Sequence, residues 1–263
     1  MTALATPAHS FVVTRGHRRF AEFAEAVRSN RYVGLCHGAP GVGKTLSARE
    51  HTRWPVIEEL VTGQRRAALD QRGQHPDAHA LLYTAPVAIT PVRLDQEVAA
   101  LSQALDALAG APAYRWQRPR GCGSQTQLLI VDEADRLNTN CLEMLRDRFD
   151  HSSMGLILIG MPGIERRLAR YPQLYSRVGF VHRYDTLRPE ELAGVIEQCW
   201  PDVPLESAGR EQVLAAIQRC THGNFRLVER LLSQVRRVLA INQLPAVTED
   251  VVQAAREALV FGT

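Results

Sequence analysis

Two short stretches of this 263-residue chain bring together side chains that can do chemistry on a phosphate. The first is Gly38-Ala39-Pro40-Gly41-Val42-Gly43-Lys44-Thr45, which satisfies G-x-x-x-x-G-K followed by Ser or Thr at every position. Glycines let backbone N–H groups curl around anionic oxygens, and a helix opening at the loop adds partial positive charge. A lysine at this spacing reaches the β- and γ-phosphates of a nucleoside triphosphate, and the next hydroxyl is a Mg2+ ligand. The second stretch is Leu128-Leu129-Ile130-Val131-Asp132-Glu133, an apolar run that delivers two carboxylates at its end. Asp132 suits the Mg2+ shell, beside Thr45, and Glu133 suits polarisation of an attacking water. Acids after an apolar strand are common. Downstream of a complete phosphate loop they become informative. The candidate nucleotide-binding set is Gly38, Ala39, Pro40, Gly41, Val42, Gly43, Lys44, Thr45, Leu46 and Asp132.

These residues need elements to hold them. Residues 32–36 read as a short buried strand entering the loop, and 46–51 as the helix leaving it. Further strands are expected at 81–89, 128–131, 155–160 and 178–184. Helical spacing of apolar residues marks 17–30, 94–108, 140–149 and 164–171. Strands alternating with helices predict an α/β unit with a parallel sheet covered on both faces. After Arg188-Pro189 the pattern changes to four helical stretches, at 189–200, 207–220, 224–241 and 248–259. The expected organisation is a core of residues 1–187 and a helical lid of 188–263. Residues 56–82 and 109–125 are broken by glycine and proline and read largely as irregular.

Composition bounds the function. Hydrophobic residues make up 45% and charged residues 22%, an ordinary soluble balance. No apolar run approaches the roughly 20 residues of a membrane helix, and residues 1–10 do not read as a signal peptide. The expectation is a cytoplasmic protein with no membrane partner. Cys36, Cys122, Cys141, Cys199 and Cys220 form no Cys-x-x-Cys pair, so they read as reduced thiols rather than a zinc or disulfide framework. The net charge of +3, from 31 basic and 28 acidic residues, is too small to announce a nucleic-acid partner, so distribution matters more. The densest candidate is Tyr114-Arg115-Trp116-Gln117-Arg118-Pro119-Arg120, three guanidinium groups among two aromatics. It reads either as a contact to DNA phosphates through Arg115, Arg118 and Arg120 or as a solvated basic loop. Arg146 and Arg148 are weaker candidates, and Arg65, Arg66 and Arg72 weaker still. For the adenosine, residues 11–20 are the candidate segment.

The acidic set Asp132-Glu133-Ala134-Asp135 resembles that of the AAA+ superfamily. Tyr175-Ser176-Arg177 before a strand is similar to the AAA+ arginine finger, and Gly223-Asn224-Phe225-Arg226 opening a lid helix is similar to the sensor-2 motif. More narrowly, the chain resembles the transposition ATPases TnsC, TniB and the phage Mu B protein. The residues that carry this are YVGLCHGAPGVGKT, LLIVDEADRL, LILIGMPGIERRL, YSRVGFVHRYDTL and HGNFRLVERLL, spread over most of residues 30–240. The first two occur across the superfamily. The phrase Leu158 to Glu165 is shared more narrowly, with this group and with ExeA-type ATPases. The resemblance implies an AAA+ P-loop core with a helical lid, binding ATP and Mg2+. It implies assembly of copies as a ring or helical filament on duplex DNA. It further implies recruitment of a transposase, a link to a target-selection protein of the TniQ or TnsD kind, and disassembly on hydrolysis. It assigns catalytic roles to Lys44, Glu133 and Arg177, and a nucleotide contact to Arg226. Arg177 would act on a neighbouring copy's nucleotide. One position departs from the pattern. Many AAA+ proteins carry a polar sensor-1 residue at the end of the fourth strand, where this chain has Gly160 and Met161, and slow hydrolysis is the expectation. Two alternatives stay open: an ExeA-like secretion ATPase, and a nucleotide-gated adaptor with little hydrolysis.

If Arg118 and Arg120 each neutralise a phosphate, replacing both with alanine weakens binding to all duplex sequences alike. The slope of log affinity against log salt then falls by about two, at roughly 0.9 per contact. A salt titration in saturating ATP analogue checks this, and an unchanged slope assigns the loop to solvent.

Overall fold

The computed structural model describes residues 11–54, 57–58, 73–110, 125–205 and 209–259. The arginine-rich run with Arg115, Arg118 and Arg120 lies outside these residues, as do Arg65, Arg66, Arg72 and Cys122. The chain divides into two compact units. One comprises Arg19–Ala39 and Lys44–Tyr184; the other comprises Met1–Arg18, Pro40–Gly43 and Asp185–Thr263.

The first unit is built on a parallel sheet of β1 (Val33–His37), β2 (Ala80–Thr84), β3 (Leu128–Asp132), β4 (Gly155–Gly160) and β5 (Val178–Arg183). Their order is β2-β3-β4-β1-β5, and every pairing is parallel. The central strands β3 and β4 are buried at every residue, and β1 at all but its last. Such uninterrupted apolar runs are required where helices cover both faces of a sheet. β5, at an edge, alternates and keeps only His182 fully buried.

α1 (Arg15–Asn30) precedes the strands, and between them run α2 (Lys44–His51), α3 (Pro91–Leu108), α4 (Thr139–Asp150), α5 (Ile164–Leu168) and α6 (Pro172–Tyr175). Most boundaries shift by a residue or a few from the sequence expectation, and three of the shifts have a clear local reason. β2 stops at Thr84 rather than residue 89 because Pro86 has no N–H for the ladder, and Ala85 N–H turns to the Asp132 carbonyl at 2.9 Å. α3 starts at Pro91, capped by the Thr90 side chain. The single helix expected over 164–171 is two short ones, because Tyr171 leaves helical geometry and Pro172 starts a new turn.

α1 presses its buried face, Phe20, Phe23, Ala24 and Val27, onto the sheet. The approach is close enough that only glycine fits below it. A Cβ on Gly155 would lie 2.7 Å from the Val27 carbonyl oxygen, and one on Gly34 would lie 2.5 Å from Val27 Cγ2.

The second unit holds α7 (Pro189–Cys199), α8 (Arg210–Thr221), α9 (Phe225–Asn242) and α10 (Glu249–Glu257). They enclose a separate core that includes Leu192, Ile196, Trp200, Ile217, Leu231 and Val252. α9 buries Val228, Leu231, Leu232, Val235 and Leu239, the spacing of one helical stripe. No helix among the described residues is long and apolar enough to cross a membrane.

Gly155→Ala should lower stability by about 1–3 kcal/mol, because the added methyl meets backbone rather than a movable side chain. Gly194→Ala, inside α7 with nothing within 4 Å of the new methyl, should instead gain roughly 0.5–1 kcal/mol. Thermal melts of the two variants check both signs.

Candidate nucleotide site

The chain leaves β1 at His37, passes through the glycine-rich loop and enters α2 at Lys44. The loop's flanks are fastened to one tyrosine. Tyr184 N–H donates to the His37 carbonyl at 2.8 Å. The Tyr184 and Ser47 hydroxyls lie 2.7 Å apart. A Cβ on Gly38 would sit 2.4 Å from the Tyr184 carbonyl oxygen, so the backbone passes where a side chain cannot.

The two motifs, 87 residues apart in sequence, meet directly. Thr45 Oγ1 donates to Asp132 Oδ2 at 2.6 Å. The other carboxylate oxygen, Oδ1, accepts the Glu133 N–H at 2.9 Å. Asp132 is thereby held rigid and is only 3% exposed. Lys44 Nζ donates to the carbonyls of Gly38 (2.6 Å) and Ala39 (2.9 Å). Burial pushes the Lys44 ammonium below the ordinary lysine range, while the charges of Asp132, Glu133 and Asp135 pull it back.

Glu133 adopts left-handed backbone geometry (φ 55°, ψ 37°), uncommon for a residue with a side chain. Its carboxylate lies 3.6 Å from Arg136 Nη2. Arg136 Nη1 in turn donates to the Ala85 carbonyl at 2.9 Å. Such strain, of order 1 kcal/mol or more, concentrates at functional positions.

The crest of the loop, Pro40–Gly43, belongs to the helical unit. Gly41, at φ 80°, has a backbone that other residues rarely adopt. Its carbonyl accepts the Arg226 N–H at 3.0 Å. Asn224 Nδ2 donates to the Pro40 carbonyl at 2.8 Å, while Asn224 Oδ1 caps α9. Arg226 therefore stands at the loop crest. Val42 is buried, and Leu46 faces outward on α2 at 47% exposure. In the same unit Phe11, from the candidate adenosine segment, lies edge-on to His17 with ring centres 4.7 Å apart.

The oxygen pair Thr45–Asp132 fits Mg2+, which takes few protein ligands and fills its shell with water and phosphate oxygens. No cluster of three or more His, Cys, Asp or Glu side chains able to hold a metal occurs among the described residues.

Arg177 lies elsewhere. Its carbonyl accepts the N–H of Val33, the first residue of β1, whereas the phosphate loop follows the last. Five strand residues put roughly 16 Å between those ends. Its guanidinium is gripped by Asp150, Nε to Oδ1 at 2.5 Å and Nη2 to Oδ2 at 2.6 Å. This hydrogen-bonded pairing holds the Asp150 carboxyl below the usual range and raises Arg177. Asp150 also pairs with Arg146 at 2.6 Å, and Arg146 with Glu143 at 2.9 Å. Arg148 pairs with Asp95 at 2.9 Å. Arg146, a candidate DNA contact, has its charge largely neutralised along α4.

Thus Lys44, Thr45, Asp132 and Glu133 are brought together, and Arg177 is not among them. Tyr184, Arg136 and Asp150 were not singled out by sequence, and Asn224 was named only within the motif that carries Arg226. Their contacts join residues far apart in sequence, such as Asn224 with Pro40 across 184 residues and Arg136 with Ala85 across 51.

A family model described as an AAA domain matches residues 27–168. A Staphylococcus aureus protein called a potential ATP-binding protein is 38% identical, over 98% of this chain and 99% of its own length. The RuvB subunit of the Treponema pallidum Holliday junction branch migration complex is 26% identical, over 56% of this chain and 47% of its own. The solved Thermotoga maritima RuvB branch migration motor superposes with TM-score 0.59 at 19% identity, covering 95% of this chain and 70% of that one. Aeropyrum pernix ORC2 superposes at 0.61 and 16% identity, covering 97% and 70%. The fold is that of an AAA+ P-loop NTPase.

Lys44 is the chain's sole lysine. An amine-acylating reagent should modify the Lys44 peptide at mildly alkaline pH, and ATP should protect it. Mass spectrometry reads the modification. Equal labelling with and without ATP would put the amine outside the nucleotide site.

Proposed function

The chain belongs to the AAA domain family, an ATPase-type, nucleotide-binding family, and from that premise we propose that it is an ATP-dependent regulator of DNA transposition. On this reading it resembles TnsC, TniB and Mu B in activity as well as in sequence. Copies assemble on duplex DNA in the ATP state, recruit a transposase, answer to a target-selection protein of the TniQ or TnsD kind, and come apart on hydrolysis.

The chain's own residues divide the work. Backbone N–H groups of the glycine-rich loop hold the phosphates, and Lys44 balances their charge. Thr45 and Asp132 would hold Mg2+, which when bound neutralises charge on the β- and γ-phosphates. Glu133 takes a proton from water as its oxygen bonds to the γ-phosphorus. The bond from that phosphorus to the bridging oxygen breaks, and ADP leaves with the electron pair. Arg226, whose N–H meets the Gly41 carbonyl, is assigned a nucleotide contact by its resemblance to the sensor-2 motif.

The single observation that carries the assembly half of this reading is the place of Arg177. It sits at the opposite end of the strands from Lys44, Thr45 and Asp132. A guanidinium there serves a neighbour's nucleotide far more readily than its own. Supplying it in trans makes ATP binding and assembly one linked event. The likeness to RuvB, named for Holliday junctions, supports a DNA partner.

Assembly on duplex DNA, followed by light scattering with ATP, ADP and a non-hydrolysable analogue, tests the proposal. Lys44→Ala should abolish ATP binding and assembly together. Glu133→Gln should bind ATP and assemble but lose turnover by about 100-fold or more, leaving long-lived oligomers. Normal assembly by Lys44→Ala, or assembly indifferent to the nucleotide, would refute the reading.

A further inference from the structure

The end of β4 lacks a polar side chain of its own, since Gly160 and Met161 occupy it. The structure brings one there from another element. After Glu133 the chain makes a single 3-10 turn, Ala134–Arg136, and this turn carries Asp135 across to β4. Asp135 Oδ2 accepts the Met161 N–H at 2.6 Å. The turn is held from the far side by Arg167, whose guanidinium donates to the carbonyls of Asp135 and Leu137.

Gly160 is what makes room for this carboxylate. A Cβ at that position would lie 2.5 Å from Asp135 Oδ2 and 2.5 Å from Ile164 Cδ1. Contacts that short do not persist, so any side chain at Gly160 would displace the carboxylate. The location matters for chemistry. Gly160 pairs in register with His37, the residue before the phosphate loop. β4 lies between β1, which feeds that loop, and β3, which ends in Asp132. The Asp135 carboxylate therefore stands at the strand ends between the loop and the Asp132–Glu133 pair. Its charge also reaches the Lys44 ammonium.

Glu133 alone is poorly placed to fix a water. Its side chain is 43% exposed and leans towards Arg136. A water in line with the γ-phosphorus needs a second acceptor to define its direction, and small misplacements cost large rate factors. Asp135 Oδ1 accepts no hydrogen bond among the described residues. We propose that Asp135 is that second acceptor: a water-positioning carboxylate that does, from the turn after Glu133, what a polar residue at the end of β4 would do. The inference rests on the hydrolytic reading above.

A double-mutant cycle tests it through stability and turnover together. Gly160→Ser should lower the Tm of the wild-type protein, because its Cβ meets the carboxylate. It should cost clearly less in an Asp135→Ala background, where that space is empty. Asp135→Asn and Asp135→Ala should each lower kcat by about 100-fold, with KM for ATP and affinity for a non-hydrolysable analogue within about twofold. In the double variant Asp135→Ala/Gly160→Ser, the new hydroxyl at the end of β4 should restore about tenfold of the lost kcat. A merely structural role for Asp135 would move Tm and analogue affinity and would not be rescued by serine. Additive Tm changes would show that the carboxylate does not occupy the Gly160 space. Turnover that survives Asp135→Asn yet is lost in Glu133→Gln would overturn Asp135 and leave the proposed function standing. Absence of turnover in the wild type would overturn both.

Discussion

All the strands of the sheet run in one direction, and the rest of the site follows from that constraint. In a parallel sheet every carboxyl end lies on one edge. The glycine-rich loop leaves β1, the acidic pair leaves β3, and the turn into α5 leaves β4, all on that edge. Groups separated by 87 residues can then share one hydrogen bond, Thr45 to Asp132, without a dedicated scaffold. The buried central strands make this edge stiff. Connections of very different length, the one between α2 and β2 being long, join the strands without moving it.

The same constraint separates two kinds of charge. On the carboxyl edge, acids surround one lysine whose ammonium is partly stripped of water. On the opposite edge, Arg177, Asp150, Arg146 and Glu143 form a chain of alternating charge. An exposed pair of this sort contributes little to stability. Its effect is geometric: a bidentate carboxylate fixes a long side chain in one orientation. Arg177 is thus held in one orientation by Asp150.

Much of this was legible in the sequence because it is local. Eight contiguous residues define the loop, and five apolar residues followed by acids define β3. Strand interiors were also legible, since continuous apolar runs have few other uses. Strand and helix ends were not, where a single residue such as Pro86 or Pro172 overrides the periodicity around it. Least legible were pairings with no sequence spacing: Asp150 with Arg177, Tyr184 with Ser47, Asn224 with Pro40. Asp135 is the sharpest case. Its place in the acidic motif is plain, but that its carboxylate fills the space above a glycine 25 residues later is a property of the folded sheet. For the same reason, the end of β4 looked incomplete when read alone.

The wide spacing of Arg177 from Lys44 has a consequence for any assembly that joins one edge of a copy to the other edge of the next. Such a contact is heterologous and has a direction. If the rotation between copies closes, every nucleotide meets an arginine and all sites are equivalent. If it does not close, the result is a polar filament with two unlike tips. At one tip an arginine projects towards solvent, and at the other a nucleotide has no arginine facing it. Completed sites are then one fewer than copies. On the proposed reading of Arg177, the terminal copy at the second tip would keep its triphosphate longest and act as a cap. A filament of this kind would mark its own two ends chemically.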